Sequence, residues 1–236
     1  MSLPVAILAG GLATRLGGVT ATRPKSLVDV AGRPFAEHQI ELLERNGLTE
    51  IVFLVGHLGG MIRDAIGDGS RWKVHIRYVF EETRLLGTGG AIRHALSALG
   101  ERFFVLYGDS YLECDYAAIE RAFVSSACDG LMTVYPNDNR WDRSNVQYEH
   151  GRLLAYDKTH VTPAMRHIDY GLGAFRAAAF EPYADGAAFD LVDAYQRLLA
   201  AGSLAAFEVP TRFHEIGSRE GLEEMRAYLS RALKRS

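Results

Sequence analysis

Val5-Ala6-Ile7-Leu8-Ala9-Gly10-Gly11-Leu12-Ala13-Thr14-Arg15-Leu16 is the stretch whose reading decides the fold. Five small or branched apolar residues in succession, 5–9, read as a buried strand. The glycine pair that ends the run permits a tight turn and lets another group approach the backbone closely. The first half of the chain repeats this grammar. Residues 51–55 form a second apolar run, 74–80 alternate with period two, and 103–107 form a fourth strand candidate. Between them, residues 34–46 read as a helix with Pro34 in its first turn and Gly47 as its stop. A shorter helix covers 60–66. A third starts near Thr88, sets Ile92, Leu96 and Leu99 on one face, and ends at Gly100. Strand–helix–strand spacing of this kind predicts an α/β fold with a mostly parallel sheet and helices on both faces.

The second half is less regular. Residues 131–135 look like a strand, and the polar stretch 136–144 like a loop carrying Arg140, Trp141 and Arg143. Residues 146–148 and 153–156 read as a small hairpin turning at His150-Gly151. A strand is expected over 168–176, a helix over 187–201, a strand over 204–209 and a closing helix over 219–233. Neither a linker nor a repeat divides the chain, so residues 1–236 are read as one domain with small sheet insertions.

Composition narrows the function classes. A 236-residue chain with 48% hydrophobic and 23% charged residues is ordinary globular material. The net charge of −3 gives no basis for nucleic-acid binding. Cys114 and Cys128 form no paired motif, which argues against a disulfide scaffold or a zinc ribbon. The start of the chain has no basic segment leading into a long apolar one, and no apolar run reaches the roughly 20 residues a membrane helix needs. The expectation is a cytoplasmic protein without a membrane partner. The eight histidines show no H-x-x-x-H or H-E-x-x-H spacing, and Ser110 lacks a G-x-S-x-G elbow.

In open parallel sheets, ligands sit beyond the carboxyl ends of the strands. Gly10-Gly11, Gly108-Asp109 and the turn after Tyr156 all follow expected strands, so they should converge on one edge. Exposed N–H groups around Gly10-Gly11 can donate to polyphosphate oxygens. Arg15 and Lys25 add positive charge where a pyrophosphate leaving group would need it. The spacing fits neither G-x-G-x-x-G nor G-K-[ST], which disfavours a dinucleotide site and a P-loop. Asp109, at the sheet's carboxyl edge beside a phosphate site, suits Mg²⁺, which takes one or two carboxylates plus phosphate oxygens. The competing reading of Asp109 is a helix N-cap. Only four of the 26 basic residues are lysines (Lys25, Lys73, Lys158 and Lys234), in a chain that otherwise uses arginine.

The string Gly10-Gly11-Leu12-Ala13-Thr14-Arg15-Leu16 with Arg23-Pro24-Lys25 closely resembles the N-terminal signature of the sugar-phosphate nucleotidyltransferase, or NDP-sugar pyrophosphorylase, family. The likeness continues in Ala31-Gly32-Arg33-Pro34, Leu86-Gly87-Thr88-Gly89-Gly90-Ala91 and Tyr107-Gly108-Asp109. Among subfamilies, the short length is similar to that of heptose 1-phosphate guanylyltransferases and N-acetylmuramate 1-phosphate uridylyltransferases.

The resemblance implies a Rossmann-like three-layer sandwich of the GT-A type, with a nucleotide-binding half over about 1–115 and a sugar-phosphate half over about 116–236. It implies a Mg²⁺-dependent enzyme that joins an NTP to a sugar 1-phosphate in nucleotide-sugar synthesis for cell-envelope polysaccharide, as a monomer or homodimer. Arg15, Lys25 and Asp109 would be catalytic, and Leu8, Ala9, Gly10, Gly11, Thr14, Glu82, Gly87 and Thr88 would hold the nucleotide. Asp157, Lys158, Asp169 and Gly171 would hold the sugar phosphate, with Asp109 and Glu215 on the metal.

Several positions depart from the family pattern. Ala13 stands where glycine is usual, and Asp157 replaces glutamate. Asp169 replaces asparagine and is expected to face the sugar, because a carboxylate repels phosphate. Glu215, in Glu215-Ile216-Gly217-Ser218, replaces aspartate in Asp-Ile-Gly-Thr, and Ser218 reads as a helix N-cap. Two of the four lysines, Lys25 and Lys158, fall on family phosphate positions. A carboxylate at Glu82, or alternatively Glu81, can accept both N1–H and N2–H of guanine, which tilts the reading toward GTP with a heptose-like sugar. The remaining readings are a UTP-dependent enzyme, a cytidylyltransferase acting on a phosphocholine-like alcohol phosphate, and a nucleotide-sugar-binding module without turnover.

Overall fold

The computed structural model describes residues 2–11, 23–56, 58–81 and 84–233. Its centre is a nine-stranded mixed sheet. Four parallel strands form one side of it: β1 (Val5–Leu8), β4 (Glu50–Val55), β5 (His75–Phe80) and β6 (Arg102–Tyr107), in the order β5-β4-β1-β6. Two short strands, β2 (Asp29–Val30) and β3 (Arg33–Pro34), form a separate ribbon just before α1 (Phe35–Arg45).

The connections α1, α2 (Gly59–Ile66) and α3 (Gly87–His94) with the short α4 (Leu96–Leu99) lie between successive parallel strands. The chain builds outward from β1 to β4 and β5, then returns to place β6 on the other side of β1. That reversal makes a crevice between the carboxyl ends of β1 and β6, where open α/β sheets bind ligands.

After β6 come β7 (Ser110–Tyr111), α5 (Tyr116–Ser126), β8 (Gly130–Pro136), β9 (Val146–Glu149), β10 (Arg152–Tyr156) and β11 (His167–Arg176). The ten-residue β11 runs antiparallel to β6 and extends past its carboxyl end, pairing on its other edge with β8. The β9–β10 hairpin turns at His150 and Gly151 with φ +50° and +79°, the positive pair that a tight primed turn requires. The chain closes with α6 (Leu191–Ala200), β12 (Leu204–Glu208), β13 (His214–Glu215) and α7 (Arg219–Leu233).

Alternation along the strands divides the core into two faces. Val5, Ile7, Ile51, Phe53, Phe104 and Leu106 pack against α1, α2 and α5. Ala6, Val52, Leu54, Phe103 and Val105 pack against α3, α4 and α6. This is the expected three-layer α/β sandwich. A third cluster places Leu222, Met225 and Leu229 of α7 on Val30, Tyr111 and Ile216. Among the described residues, no helix is long and apolar enough to cross a membrane.

Local differences from the sequence expectations have physical causes. Pro34 caps α1 with ψ 136°, an extended geometry, and does not form its first turn. The single helix expected from Thr88 to Gly100 breaks at Ala95, whose N–H is shared between Ala91 O and Ile92 O. The helix expected from 187 starts at Leu191, because residues 187–190 dock on the segment 86–90. The helix α5 had no sequence expectation, although Asp115 caps it by accepting from Ala118 N at 2.8 Å.

Candidate functional site

A cavity of about 230 Å³ opens at the β1–β6 crevice. Leu8, Ala9, Gly10 and Gly11 form one wall, Tyr107, Gly108 and Asp109 another, and Gly87 and Thr88 a third, with Lys25 and Asp190 also lining it. The described nucleotide-site residues expected from sequence thus surround one space. Thr14, Arg15 and Glu82 lie outside the described residues.

Close backbone approach shapes the cavity floor. A Cβ on Gly108 would sit 3.0 Å from Leu8 O, and Gly108 N donates to that same oxygen at 2.9 Å. A Cβ on Gly10 would stand 3.2 Å from both Glu81 Oε2 and Gly56 N. Glycine at these positions lets the two strand ends meet with a carboxylate beside them.

Lys25 opens a 3₁₀ turn, Lys25–Leu27, set by the extended Pro24 before it. The next residue, Ser26, is buried, and its hydroxyl donates to Gly108 O at 3.4 Å. This fixes Lys25 beside the β6 turn, where its Nζ lies 3.0 Å from Asp109 Oδ2. Both side chains are partly exposed toward the cavity, Lys25 at 21% and Asp109 at 26%.

Glu215 reaches the same place by strand pairing. The β13–β7 ribbon sets Glu215 opposite Ser110, and Ile216 N donates to Asp109 O at 2.9 Å. A Cβ built on Gly217 would meet Asp109 Oδ2 at 3.4 Å and Glu215 Oε1 at 3.7 Å. The two carboxylates therefore converge around a residue with no side chain. Among the described residues, no group of three or more His, Cys, Asp and Glu gathers to hold a metal. Two carboxylates beside one open cavity fit Mg²⁺, which takes one or two carboxylates and completes its shell with other oxygens.

The segment Leu86-Gly87-Thr88-Gly89-Gly90 has a use that sequence did not suggest. Phe189 O accepts from Gly89 N at 3.0 Å and Gly90 N at 3.2 Å, and Phe189 N donates back to Leu86 O at 3.0 Å. Thr88 Oγ1 accepts from Leu191 N at 2.7 Å. The Gly89 and Gly90 N–H groups in the first turn of α3 are thus satisfied by the chain itself. A Cβ on Gly89 would fall 2.3 Å from the Phe189 ring. Gly87 and Thr88 line the cavity as expected, and the docked segment adds Asp190, which also caps α6 through a reciprocal pair with Asp193.

Glu81 lies in the cavity wall, with Oε1 accepting from Leu86 N at 2.9 Å. Burial raises its carboxyl above the usual range, and the Leu86 N–H opposes that rise.

Sequence comparison decides the family. The profile described as Nucleotidyl transferase matches residues 5–144, which carry every wall of the cavity except Asp190. The chain belongs to the nucleotidyl transferase family.

Curated relatives in this family differ in their nucleotide. Over 113 residues, 48% of this chain and 49% of the relative, the chain is 42% identical to N-acetylmuramate α-1-phosphate uridylyltransferase of Neisseria meningitidis serogroup B. Over 114 residues, 48% of this chain and 51% of the relative, it is 32% identical to D-glycero-α-D-manno-heptose 1-phosphate guanylyltransferase of Campylobacter jejuni. The chain spans about half the length of these two relatives. Over nearly its whole length the fold matches HddC from Yersinia pseudotuberculosis complexed with GMP-PN. That match has a TM-score of 0.79 at 25% identity and covers 96% of this chain and 99% of the other.

The second half of this nucleotidyl transferase contributes a distinct cluster. The β9–β10 hairpin returns the chain to β11, where Asp157 N donates to Asn145 O at 3.0 Å and Asn145 Oδ1 accepts from Asp169 N at 3.0 Å. Lys158 Nζ lies 3.5 Å from Asp169 Oδ2 and 5.8 Å from the ring centroids of both Tyr107 and Tyr156. Tyr107 also lines the cavity, so it forms a common wall between the cavity and Lys158. The turn after Tyr156 does join the carboxyl edge.

Asp157 and Asp169 each have partners within the chain. Asp157 accepts from Thr159 N at 2.7 Å and His160 N at 2.9 Å, which hold its carboxyl below the usual range. Asp169 is only 5% exposed. Its Oδ2 accepts from the Tyr156 hydroxyl at 3.1 Å and its Oδ1 from Gly171 N at 3.1 Å. Gly171, at φ +97°, makes the bend that closes this loop. The carboxylate expected to face a sugar hydroxyl is engaged within the chain by Tyr156, Gly171 and Lys158.

Sequence reasoning missed Asp190, Asn145 and Tyr156, and also Gln39, whose amide donates to Tyr107 O and Ser110 O on either side of Asp109. Gln39 alone carried a readable signal, as a polar residue on the apolar face of α1 between Phe35 and Leu43.

Proposed function

We propose that this chain is a sugar-1-phosphate nucleotidyltransferase, forming an NDP-sugar and pyrophosphate from an NTP and a sugar 1-phosphate. The observation that carries this reading is the meeting of two sites at one wall. A crevice holding Lys25 and Asp109 lies on one side of Tyr107, and a lysine seated on a buried carboxylate lies on the other.

The reaction is an in-line displacement. An anionic oxygen of the sugar 1-phosphate attacks the α-phosphorus as the bond from that phosphorus to the bridging oxygen of the leaving pyrophosphate breaks. No general base is required because the nucleophile is already ionised, so catalysis rests on positioning and charge stabilisation. Lys158 holds the sugar phosphate, and Lys25 faces the charge that develops on the α-phosphate and the leaving group. The backbone at Gly10 and Gly11 permits close approach of the phosphates, and Arg15 is assigned to the same charge by its place in the motif. Asp109 and Glu215 are the residues that would hold Mg²⁺, which when bound polarises phosphate oxygens.

GTP with a heptose-type sugar 1-phosphate is the favoured pair. Glu81 supports guanine, because a carboxylate accepts from ring and exocyclic N–H groups together. The nearly full-length match to HddC complexed with GMP-PN supports the same base. A second reading, UTP with an N-acetylmuramate-type sugar, is favoured by the 42% identity to the meningococcal uridylyltransferase. A phosphocholine-type acceptor would need aromatic faces for its quaternary ammonium, and the faces of Tyr107 and Tyr156 already flank Lys158. We place the reaction in the cytoplasm, in the supply of activated sugars for envelope polysaccharide.

The test is pyrophosphate release with Mg²⁺, crossing GTP, UTP, CTP, dTTP and ATP against heptose, mannose, glucose and N-acetylmuramate 1-phosphates. Release that requires both one NTP and one sugar phosphate supports the reading and names the pair. Nucleotide binding without release under every pairing counts against turnover and favours a binding module.

A further inference from the structure

Four consecutive carbonyls in the turn that carries Asp109 are each held from another part of the chain. Tyr107 O accepts from Gln39 Nε2 at 2.9 Å, and Ser110 O from the same nitrogen at 2.6 Å. Between them, Gly108 O accepts from Ser26 Oγ at 3.4 Å and Asp109 O from Ile216 N at 2.9 Å. The Ser26 contact ties the turn to the lysine that faces Asp109, and the Ile216 contact ties it to the strand that carries Glu215. Gln39 supplies the other two, and it is the only side chain among these that grips both ends of the turn.

Gln39 comes from the middle of α1 and is 2% exposed. Its two amide hydrogens match its two carbonyl partners. The reverse orientation would press Oε1 against both carbonyl oxygens, so the amide has one acceptable setting. In that setting Oε1 is buried without a partner. A buried unmatched acceptor opposes stability, and methionine would fill the same space without that cost. Packing alone therefore does not account for an amide here, whereas the need for two donors at one point does.

Resting on the nucleotidyltransferase reading, we propose that Gln39 is a positioning residue for the reaction: its amide bridges Tyr107 O and Ser110 O and thereby aims the Asp109 carboxylate at the metal and the α-phosphate. It touches neither substrate nor metal. Groups that orient a metal ligand from behind typically alter metal affinity or activity by about 10–100-fold when replaced.

The experiment compares wild type, Gln39→Met, which keeps the volume without the donors, and Gln39→Asn, which keeps both donors on a shorter arm. Mn²⁺ binding to the protein alone is followed by electron paramagnetic resonance, and pyrophosphate release is measured against Mg²⁺ concentration. Wild-type turnover must be present first; its absence with every substrate overturns the enzyme reading, and the Mn²⁺ titration still tests Gln39. For Gln39→Met the expected result is Mn²⁺ binding and kcat each weakened about tenfold or more, with KM for the NTP within about twofold of wild type. Gln39→Asn should recover part of both losses. Wild-type Mn²⁺ affinity and kcat in a folded Gln39→Met overturn the inference. So does a loss in Gln39→Met that Gln39→Asn shares in full while both melt at the wild-type temperature. If Gln39→Met fails to fold, Gln39→Leu, which also lacks the donors, takes its place: weakened Mn²⁺ binding with unchanged NTP KM supports the inference, and wild-type Mn²⁺ binding overturns it.

Discussion

Lys25 Nζ and Asp109 Oδ2 stand 3.0 Å apart, although 84 positions separate them in the chain. The 3₁₀ turn after Pro24 presents one and the turn after β6 presents the other, both at the crevice where the sheet reverses its strand order. An ammonium and a carboxylate held together at the proposed phosphate site can act on opposite needs, the first on the anionic substrate and the second on a cation. Removing either should be costly. Asp109→Asn and Lys25→Met are each expected to lower kcat by about 10²–10³-fold, with little change in melting temperature because both groups are partly exposed. Steady-state pyrophosphate release and thermal unfolding measure the two quantities, and near-normal turnover in Asp109→Asn would contradict its assignment.

The Lys158–Asp169 pair makes a prediction about the second substrate. Asp169→Asn retains an oxygen for Gly171 N but removes the charge that seats the ammonium. KM for the sugar 1-phosphate should rise about tenfold, about 1.4 kcal/mol, with the NTP KM unchanged. Lys158→Met should show a larger effect in the same direction. A rise confined to the NTP would mean that this cluster serves the nucleotide.

Glu81 gives a prediction in pH. Burial raises its carboxyl, so the folded chain holds that proton more readily than the unfolded chain does. Ionised Glu81 therefore opposes folding, and stability falls as pH rises from the ordinary glutamate value through the raised one. Glu81→Gln keeps an acceptor for Leu86 N and does not ionise. Its melting temperature should exceed that of wild type at pH 7 and match it near pH 4, as read by calorimetry. An equal offset at both pH values would show that ionisation is not the cause.

The docked segment 187–190 predicts an intolerance at Gly89. A Cβ there would meet the Phe189 ring at 2.3 Å, inside any real contact distance. Gly89→Ala should destabilise the fold by about 1–3 kcal/mol, and Gly89→Ala combined with Phe189→Ala should recover part of that loss. Denaturant unfolding of the single and double variants checks the coupling. Additive losses would separate Gly89 from Phe189.

Much of the fold was legible because apolar runs and glycine stops carry it. The runs 5–9, 51–55 and 103–107 became β1, β4 and β6, and His150-Gly151 became the turn of the β9–β10 hairpin. The meeting of Gly10, Asp109 and Lys158 followed from their places at strand ends. What sequence did not carry was non-local pairing between side chains and backbone. Gln39 stood out only as a polar residue on the apolar face of α1, and its two carbonyl partners, 68 and 71 positions away, left no sign there. Residues 187–190 looked like a helix start until Phe189 O proved to accept from Gly89 N and Gly90 N of α3. The expectation for Asp169 came from its carboxylate chemistry alone, and its bonds to Tyr156 and Gly171 N could not be read from sequence. Contacts of that range have no periodicity to read.

The most direct measurement of the central claim follows the oxygens. Sugar 1-phosphate carrying ¹⁸O in its terminal phosphate oxygens is incubated with Mg²⁺ and GTP or UTP, and the products are weighed by mass spectrometry. The account predicts an NDP-sugar that keeps the whole label, one labelled oxygen now bridging its two phosphorus atoms, with unlabelled pyrophosphate in equal amount. Nucleoside monophosphate and pyrophosphate in place of an NDP-sugar, or label appearing in the pyrophosphate, would contradict it.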